Sequence, residues 1–315
     1  MPFDASSIRA PFRMQPGLRR MAADRPQLHA NEPDGAHLQA KLAVLSAHAD
    51  EALCAVPQWD ARPALAALCT QARTDLPQAW APGPSGGWQA RRLGWSVDDA
   101  GEVCGDGPPA IGDCLRALPP AWRLPGLLSL AVVEDLAVLD GATAEVPWLA
   151  VCLPSHWVPR DKVGRHFAQV HAPVADNTLL VNAAASLARL VSGPQRWERD
   201  VWTLTPQPGL DAHPARHPAP PWPAGASSDE LAALASLRTE HQTFIPLVEQ
   251  AQAVFTIEVE VRPLTALAAE PDTCGALADA LATMSEAVLA YRSLTPARDR
   301  LVDWLRRHAA ARPAP

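Results

Sequence analysis

Val254–Leu264 reads VFTIEVEVRPL. Phe255, Ile257, Val259 and Val261 alternate with Thr256, Glu258 and Glu260. A period of two with one apolar and one polar face is the pattern of a half-buried strand. Leu237–Phe244 (LRTEHQTF) lies just before it and is the expected hairpin partner. Outward from this pair, helices and strands mix without regular alternation. Leu38, Leu42, Leu45, Ala49 and Leu53 recur at helical spacing and predict a helix over Ala36–Cys54. Pro63 at a first-turn position opens another over Ala64–Leu76. A helix at Leu124–Val133 leads into a strand at Leu136–Leu139, and Val146–Leu153 is an apolar run of strand length. Ala175–Ser192 reads as one helix stopped by Gly193-Pro194, and Arg199–Leu204 as a strand. Two helices, Gly275–Met284 and Pro296–Ala310, follow the hairpin. This mixture indicates an α+β fold rather than a doubly wound sheet. Pro77–Pro109 is rich in Gly, Pro and Trp and is read as irregular with one short strand. The Pro-rich Thr205–Ser227 stretch is read as a loop whose composition allows disorder, and Ala311–Pro315 as a frayed tail. The expectation is a single domain over residues 1–315 with no internal repeat.

The chemistry concentrates elsewhere. Val151–Val174 reads VCLPSHWVPRDKVGRHFAQVHAPV and holds His156, His166 and His171 beside Arg160, Lys162 and Arg165. No other stretch combines metal-capable side chains, cations and a strand-like apolar run. His166 and His171 are five residues apart, roughly 140° around a helix, so they do not chelate one ion from a single face. The metalloprotease pattern, two His four apart with an adjacent Glu, is absent. Pro159 and Pro173 confine any helix here to about Pro159–Val170. A site that uses one of the three histidines fits better, as when a single His holds a haem iron.

The formal net charge of −7 and pI near 5.8 give no electrostatic case for nucleic acid or an anionic membrane. No apolar run approaches the ~20 residues that span a bilayer. The opening MPFDASSIRAPFRM lacks the apolar core of a secretory signal. Six cysteines (54, 69, 104, 114, 152 and 274) form no Cys-x-x-Cys pair, so free thiols of a cytoplasmic protein are expected. Eleven Trp against one Tyr offer rigid walls for a large ligand, although most would serve packing. No phosphate-binding Gly-x-Gly-x-x-Gly or Walker motif is present.

The central segment (CLPSHW, DKVGRHF, VHAPV) resembles the signature of the haem-dependent oxidative N-demethylase family, which includes the haem subunit of bacterial dimethylamine monooxygenase. Ala10–Arg19 (APFRMQPGLR), Val133–Asp140 (VEDLAVLD), Leu237–Thr243 with Val254–Leu264, and Leu281–Leu294 (LATMSEAVLAYRSL) resemble further blocks of that family, in order. The chain departs from the pattern at Asp200-Val201 before Trp202, where the family has Asn. It departs again at His241 for Arg, at Ile245-Pro246 for a basic pair, and at Ala175 for Pro. It reads as a divergent member.

The resemblance implies a PAS-like antiparallel sheet with surrounding helices and a noncovalent haem b. It implies a monooxygenase reaction: dioxygen and electrons from NADPH, delivered by a separate reductase subunit, oxidise a small N-methylated amine and release formaldehyde. On this reading His171, just before Pro173, is the axial iron ligand, with His166 and His156 as runners-up. Lys162, Arg165, Arg199 and Arg238 are candidates for the haem propionates, since Arg pairs with carboxylates bidentately. Trp157 is a candidate cofactor wall, although packing is the usual role of Trp157 and Trp202. Glu240, and with it Arg199, is assigned to catalysis; Glu240 would bind the cationic amine or relay protons. Each charged residue has a plain alternative as a structural ion-pair partner. His241 is not expected to be a ligand, and His213 and His217 are expected to be solvated in the Pro-rich loop. A haem-binding or small-ligand sensor without catalysis, or a cofactor-free scaffold, remains open, as does the oligomeric state.

Overall fold

The computed structural model describes residues 5–310, so the tail expected to fray at 311–315 lies outside the described residues. The stretch with the clearest alternation forms the longest pairing in the molecule. In chain order the strands are β1 (Arg19–Arg20), β2 (Leu53–Ala55), β3 (Trp80–Pro82), β4 (Trp88–Ala90), β5 (Trp95–Val97), β6 (Val103–Gly105), β7 (Asp135–Asp140), β8 (Trp148–Ala150), β9 (Trp197–Thr205), β10 (Ser236–Leu247) and β11 (Gln252–Pro263). The helices are α1 (Ala36–Ala52), α2 (Arg62–Asp75), α3 (Pro109–Ala117), α4 (Pro120–Ala131), α5 (Phe167–His171), α6 (Thr178–Asn182), α7 (Ala184–Val191), α8 (Ser228–Leu234), α9 (Pro271–Ala282), α10 (Glu286–Tyr291) and α11 (Arg298–Ala310). β10 and β11 pair antiparallel along their whole length, from Ser236 opposite Pro263 to Leu247 opposite Gln252. The main sheet runs β1-β9-β10-β11-β7-β8-β2, and every pairing in it is antiparallel. This is the expected α+β fold, and the order of β7 to β11 within it fits a PAS-like sheet.

One face of the main sheet packs on α1, α2 and α4 over a large apolar core that includes Leu68, Leu128, Leu136 and Val254. α8, α9 and α11 build a second core around Leu231, Leu277 and Leu301. Polar residues pin the edges. Lys41 is fully buried; its Nζ donates to the Val132 and Glu134 carbonyls (3.2 and 2.6 Å) and sits 3.2 Å from Asp135. Losing one member of such a pair strands the other, at about 3–5 kcal/mol.

Several local expectations are corrected. Pro77–Pro109 is not irregular: β3 to β6 form a four-stranded sheet. Three-residue strands are too short to show a period, and their order comes from buried aromatics such as Trp80, which stacks on Trp88 at 5.9 Å. Val146–Leu153 is strand only at β8, because the Leu153 N–H donates to the Asp135 carboxylate (2.7 Å) rather than to a ladder. The expected helix over Ala175–Ser192 is two helices, α6 and α7, with Ala183 at ψ 0 between them. Pro159–Val170 holds only a 3-10 turn at Pro159–Asp161 before α5 begins at Phe167.

The Pro-rich Thr205–Ser227 loop is ordered by ion pairs. Arg216 joins Asp211 (2.9 Å) to Glu51 of α1 (2.6 Å), and Ala212 and Trp222 are buried. His213, expected to be solvated, is only 3% exposed: its N–H donates to Asp211 (2.9 Å) and its ring faces Glu51 at 3.7 Å. His217 is the exposed member, as expected.

Candidate functional site

Every second residue of the central strands points to the face of the sheet that α1, α2 and α4 do not cover. Arg199 (β9) stands opposite Gln242 (β10), and Val201 opposite Glu240, so one polar row crosses two strands. Over this face α5 to α7, the Pro11–Arg19 segment, the Pro-rich loop and the end of α10 leave a cavity of about 1510 Å3. That exceeds the ~300–1,000 Å3 of ordinary small-ligand pockets. Its walls include apolar side chains such as Leu149, Phe244, Phe255 and Leu187.

His171 is placed by local sequence. α5 opens at His166, whose Nδ1 accepts from the Ala168 N–H (3.1 Å), while Gln169 Oε1 accepts from the His166 N–H (3.2 Å). This reciprocal cap satisfies two helix-end donors. Asn177 Nδ2 donates to the His171 and Ala172 carbonyls (3.0 and 2.9 Å) and closes the other end of α5. His171 lies one turn in and lines the cavity, with its ring 4.1 Å from that of Phe167. Its Nδ1 sits 2.9 Å from the Phe167 carbonyl. That contact requires the proton on Nδ1 and leaves the Nε2 lone pair free to bind a metal. Burial, helped by the nearby Arg199 and Lys162 and opposed by the Phe167 bond, brings the His171 pKa down to about 4. The imidazole is therefore neutral at ordinary pH.

The three histidines separate in space. His166 caps α5 and is not a lining residue; its Nδ1 lone pair is engaged. His156 lines the cavity from a backbone at φ 63°, a left-handed conformation that a non-glycine residue adopts only under restraint. Burial lowers its pKa as well. Arg238, 1% exposed, supplies the restraint. It donates to Ser155 Oγ (2.7 Å) and to the carbonyls of Gly209, Leu210, Leu153 and Pro154 (3.0, 2.8, 3.2 and 3.2 Å). Arg238, expected to pair with a haem propionate, instead clamps two loops with this guanidinium. Arg165, expected in the same role, is exposed and lies outside the cavity lining; its backbone carbonyl accepts from the Val146 N–H (3.1 Å).

Lys162, Trp157, Arg199 and Glu240 all line the cavity. Lys162 donates to the Val170 carbonyl at 3.3 Å, and burial depresses its pKa. Arg199 is incompletely paired: its Nε is buried without an acceptor, and burial lowers its pKa against the nearby Glu240 and Asp200. Glu240 accepts from Gln242 Nε2, which fixes the carboxylate over the middle of the polar row. On the opposite face of the same strand His241 meets Glu198 at 2.9 Å, so it serves the carboxylate network there and not the cavity.

Sequence reasoning missed Gln242, Tyr291, Arg292 and Phe12 as cavity residues. Gln242 had a signal, two positions after Glu240 on a strand and hence on the same face. The other three lie in quoted blocks, and every such block contributes to the lining: Phe12, Leu139, Arg238, Ile257 and Arg292 come one from each.

An antiparallel sheet roofed by short helices thus encloses a large, mainly apolar cavity that holds a neutral imidazole and a guanidinium whose Nε lacks an acceptor. Residues 124–302 match the family described as haem-dependent oxidative N-demethylase, alpha subunit-like. That span is more than half of the chain, and the chain belongs to this family.

Proposed function

We propose that the chain is the haem-carrying subunit of an oxidative N-demethylase, with a b-type haem held noncovalently in the cavity against His171. The observation that carries this reading is one cavity that holds both a neutral imidazole, free at Nε2, and an Arg199 guanidinium whose buried Nε has no acceptor. An iron porphyrin with propionate arms supplies what each lacks: a Lewis acid for the lone pair and a carboxylate for Arg199. Lys162 flanks the same corner as a second cation, and Trp157 and the apolar walls fit the macrocycle. The bound haem would supply dioxygen activation, while the chain supplies its ligand, a dry pocket and charge placement.

The reaction inserts one oxygen atom of dioxygen into an N-methyl C–H bond. The other atom leaves as water, with two electrons and two protons consumed. The resulting hydroxymethyl amine splits into formaldehyde and the demethylated amine. Glu240 holds the ammonium form of the substrate and takes its proton before oxidation, with Gln242 keeping the carboxylate in place. The electrons come from NADPH through a separate reductase subunit, in keeping with an alpha-subunit-like chain that has no nucleotide-phosphate loop. Among the described residues no helix is long and apolar enough to cross a membrane. A cytoplasmic site of action belongs to the same reading.

An absorption spectrum of protein expressed with ample haem, oxidised and reduced, tests it. An intense porphyrin band that acid–organic extraction removes from the polypeptide is expected. Colourless protein, or haem that stays with the chain, rejects the cofactor assignment. A haem protein that binds amines but turns none over with electrons supplied would be a sensor.

A further inference from the structure

Arg292 stands at the end of α10, and its guanidinium lines the cavity. Phe12 and Trp202 bracket it, with its Cζ 4.7 and 5.6 Å from their ring centroids. Its Nη1 donates to the Trp202 carbonyl (2.8 Å), and its Nη2 faces only the Met14 sulfur at 3.9 Å. Among the described residues no carboxylate reaches it, and its Nε has no acceptor. Burial pulls its pKa down to about 10, with only neighbouring Tyr291 opposing. A guanidinium held against two aromatic faces without a counter-anion is costly unless a ligand provides one.

The charge pattern of the cavity separates this cation from the others. Arg238 is held by protein oxygens, and Arg19 pairs with Asp200 at 2.7 Å. The half-buried cations left in the lining are Lys162, Arg199 and Arg292; the carboxylate Glu240 is held by Gln242 and is the main charged neighbour of Arg199. Lys162 is tied to the Val170 carbonyl beside His171 (3.3 Å), whereas Arg292 is held between Phe12 and Trp202. If Lys162 and Arg199 take the haem propionates, Glu240 and Arg292 are left as one acid and one base. A simple alkylammonium satisfies Glu240 and leaves Arg292 uncompensated. A zwitterion satisfies both.

We propose that Arg292, seated between Phe12 and Trp202, is a carboxylate subsite, and that the substrate is an N-methylated amino acid rather than a simple methylamine. This rests on the reading above for its chemistry. The N-methyl group is oxidised as before, the substrate ammonium lies at Glu240, and the carboxylate is gripped by the Arg292 Nε and by Nη2, which exchanges its weak Met14 sulfur contact for a carboxylate oxygen.

The test uses the full-length protein as purified with its haem. Calorimetric affinities are measured for N-methylglycine, N-methyl-β-alanine, their methyl esters and dimethylamine. At least one acid should bind about 10-fold or more tighter than both its own ester and dimethylamine, as expected when charge-assisted hydrogen bonds are removed. Arg292→Gln should abolish that preference while haem content and dimethylamine affinity stay unchanged. Equal affinity for acid and ester in the unaltered protein overturns the proposal without any variant, and so does the absence of binding by all five compounds. Loss of haem from Arg292→Gln overturns it too and assigns Arg292 to a propionate. Failure of the cofactor reading shows separately, as a missing porphyrin band in the unaltered protein, and the acid–ester comparison can still be read there.

Discussion

Arg238→Met is the substitution that separates a framework cation from a cofactor ligand. Methionine keeps much of the bulk but removes five contacts, to Ser155 Oγ and to four carbonyls at 2.8–3.2 Å. Each charge-assisted hydrogen bond is worth about 1.5–3 kcal/mol alone, but the five share one guanidinium and do not add. Water entering from the cavity would re-solvate some of the stranded oxygens. A loss of about 3–5 kcal/mol is therefore expected, as for other broken buried ionic networks. For a chain of this size that lowers Tm by roughly 6–12 °C. The assay is thermal unfolding of the haem-free protein, where no propionate is present. An unchanged Tm in haem-free Arg238→Met, with haem affinity reduced, would refute the clamp and restore the cofactor role.

His171→Ala should remove haem binding, whereas His166→Ala should retain it and cost about 1 kcal/mol from the lost α5 cap, read by spectrum and denaturant titration. Glu240→Gln should lower turnover about 10²–10⁴-fold with normal haem content and Tm; a fall in Tm instead would make it a structural partner. His29 has its pKa raised, chiefly by its hydrogen bond to Glu134, so its contribution to stability is full below about 6.5 and is lost as pH rises through its folded value. His29→Gln should flatten the alkaline arm of stability measured by urea unfolding between pH 6 and 9. Cys104 is the one exposed thiol and the other five are buried, so a colorimetric thiol reagent should modify a single cysteine quickly in the native protein.

What could be read from the sequence follows physical scale. The β10–β11 hairpin was legible because its strands are long enough for a period of two to emerge and one face is buried along them. β3 to β6 were not, since three residues carry no period and their stability comes from Trp80, Trp88 and Trp95 packing across the chain. The break at Ala183 lies in an alanine run that favours continuous helix, and nothing nearby in sequence announces it. At the candidate site, the residues His171, Lys162, Trp157, Arg199 and Glu240, singled out in the sequence, line one cavity. Arg238 and Arg165 misled because a cation's residue type does not reveal its acceptors: the Arg238 contacts come from loops about 30 and 85 residues away in sequence. His213 misled for the same reason, since Pro-rich composition hides the ion pairs that Arg216 makes with distant Glu51.

The Phe12 N–H donates to Thr283 Oγ1 across 271 residues, and the Phe12 ring lies under Arg292. One wall of the cavity thus joins an early segment of the chain to a late one. At ribosomal rates of about 5–20 residues per second, Phe12 waits on the order of tens of seconds before its partner is made. If His171 holds a haem as proposed, iron porphyrin could reach it during that interval from a side that is later shut. Cofactor loading and chain completion would then compete in time. Slowing translation between α9 and α10 should change the fraction of newly made protein that carries haem without altering a single contact in the finished molecule.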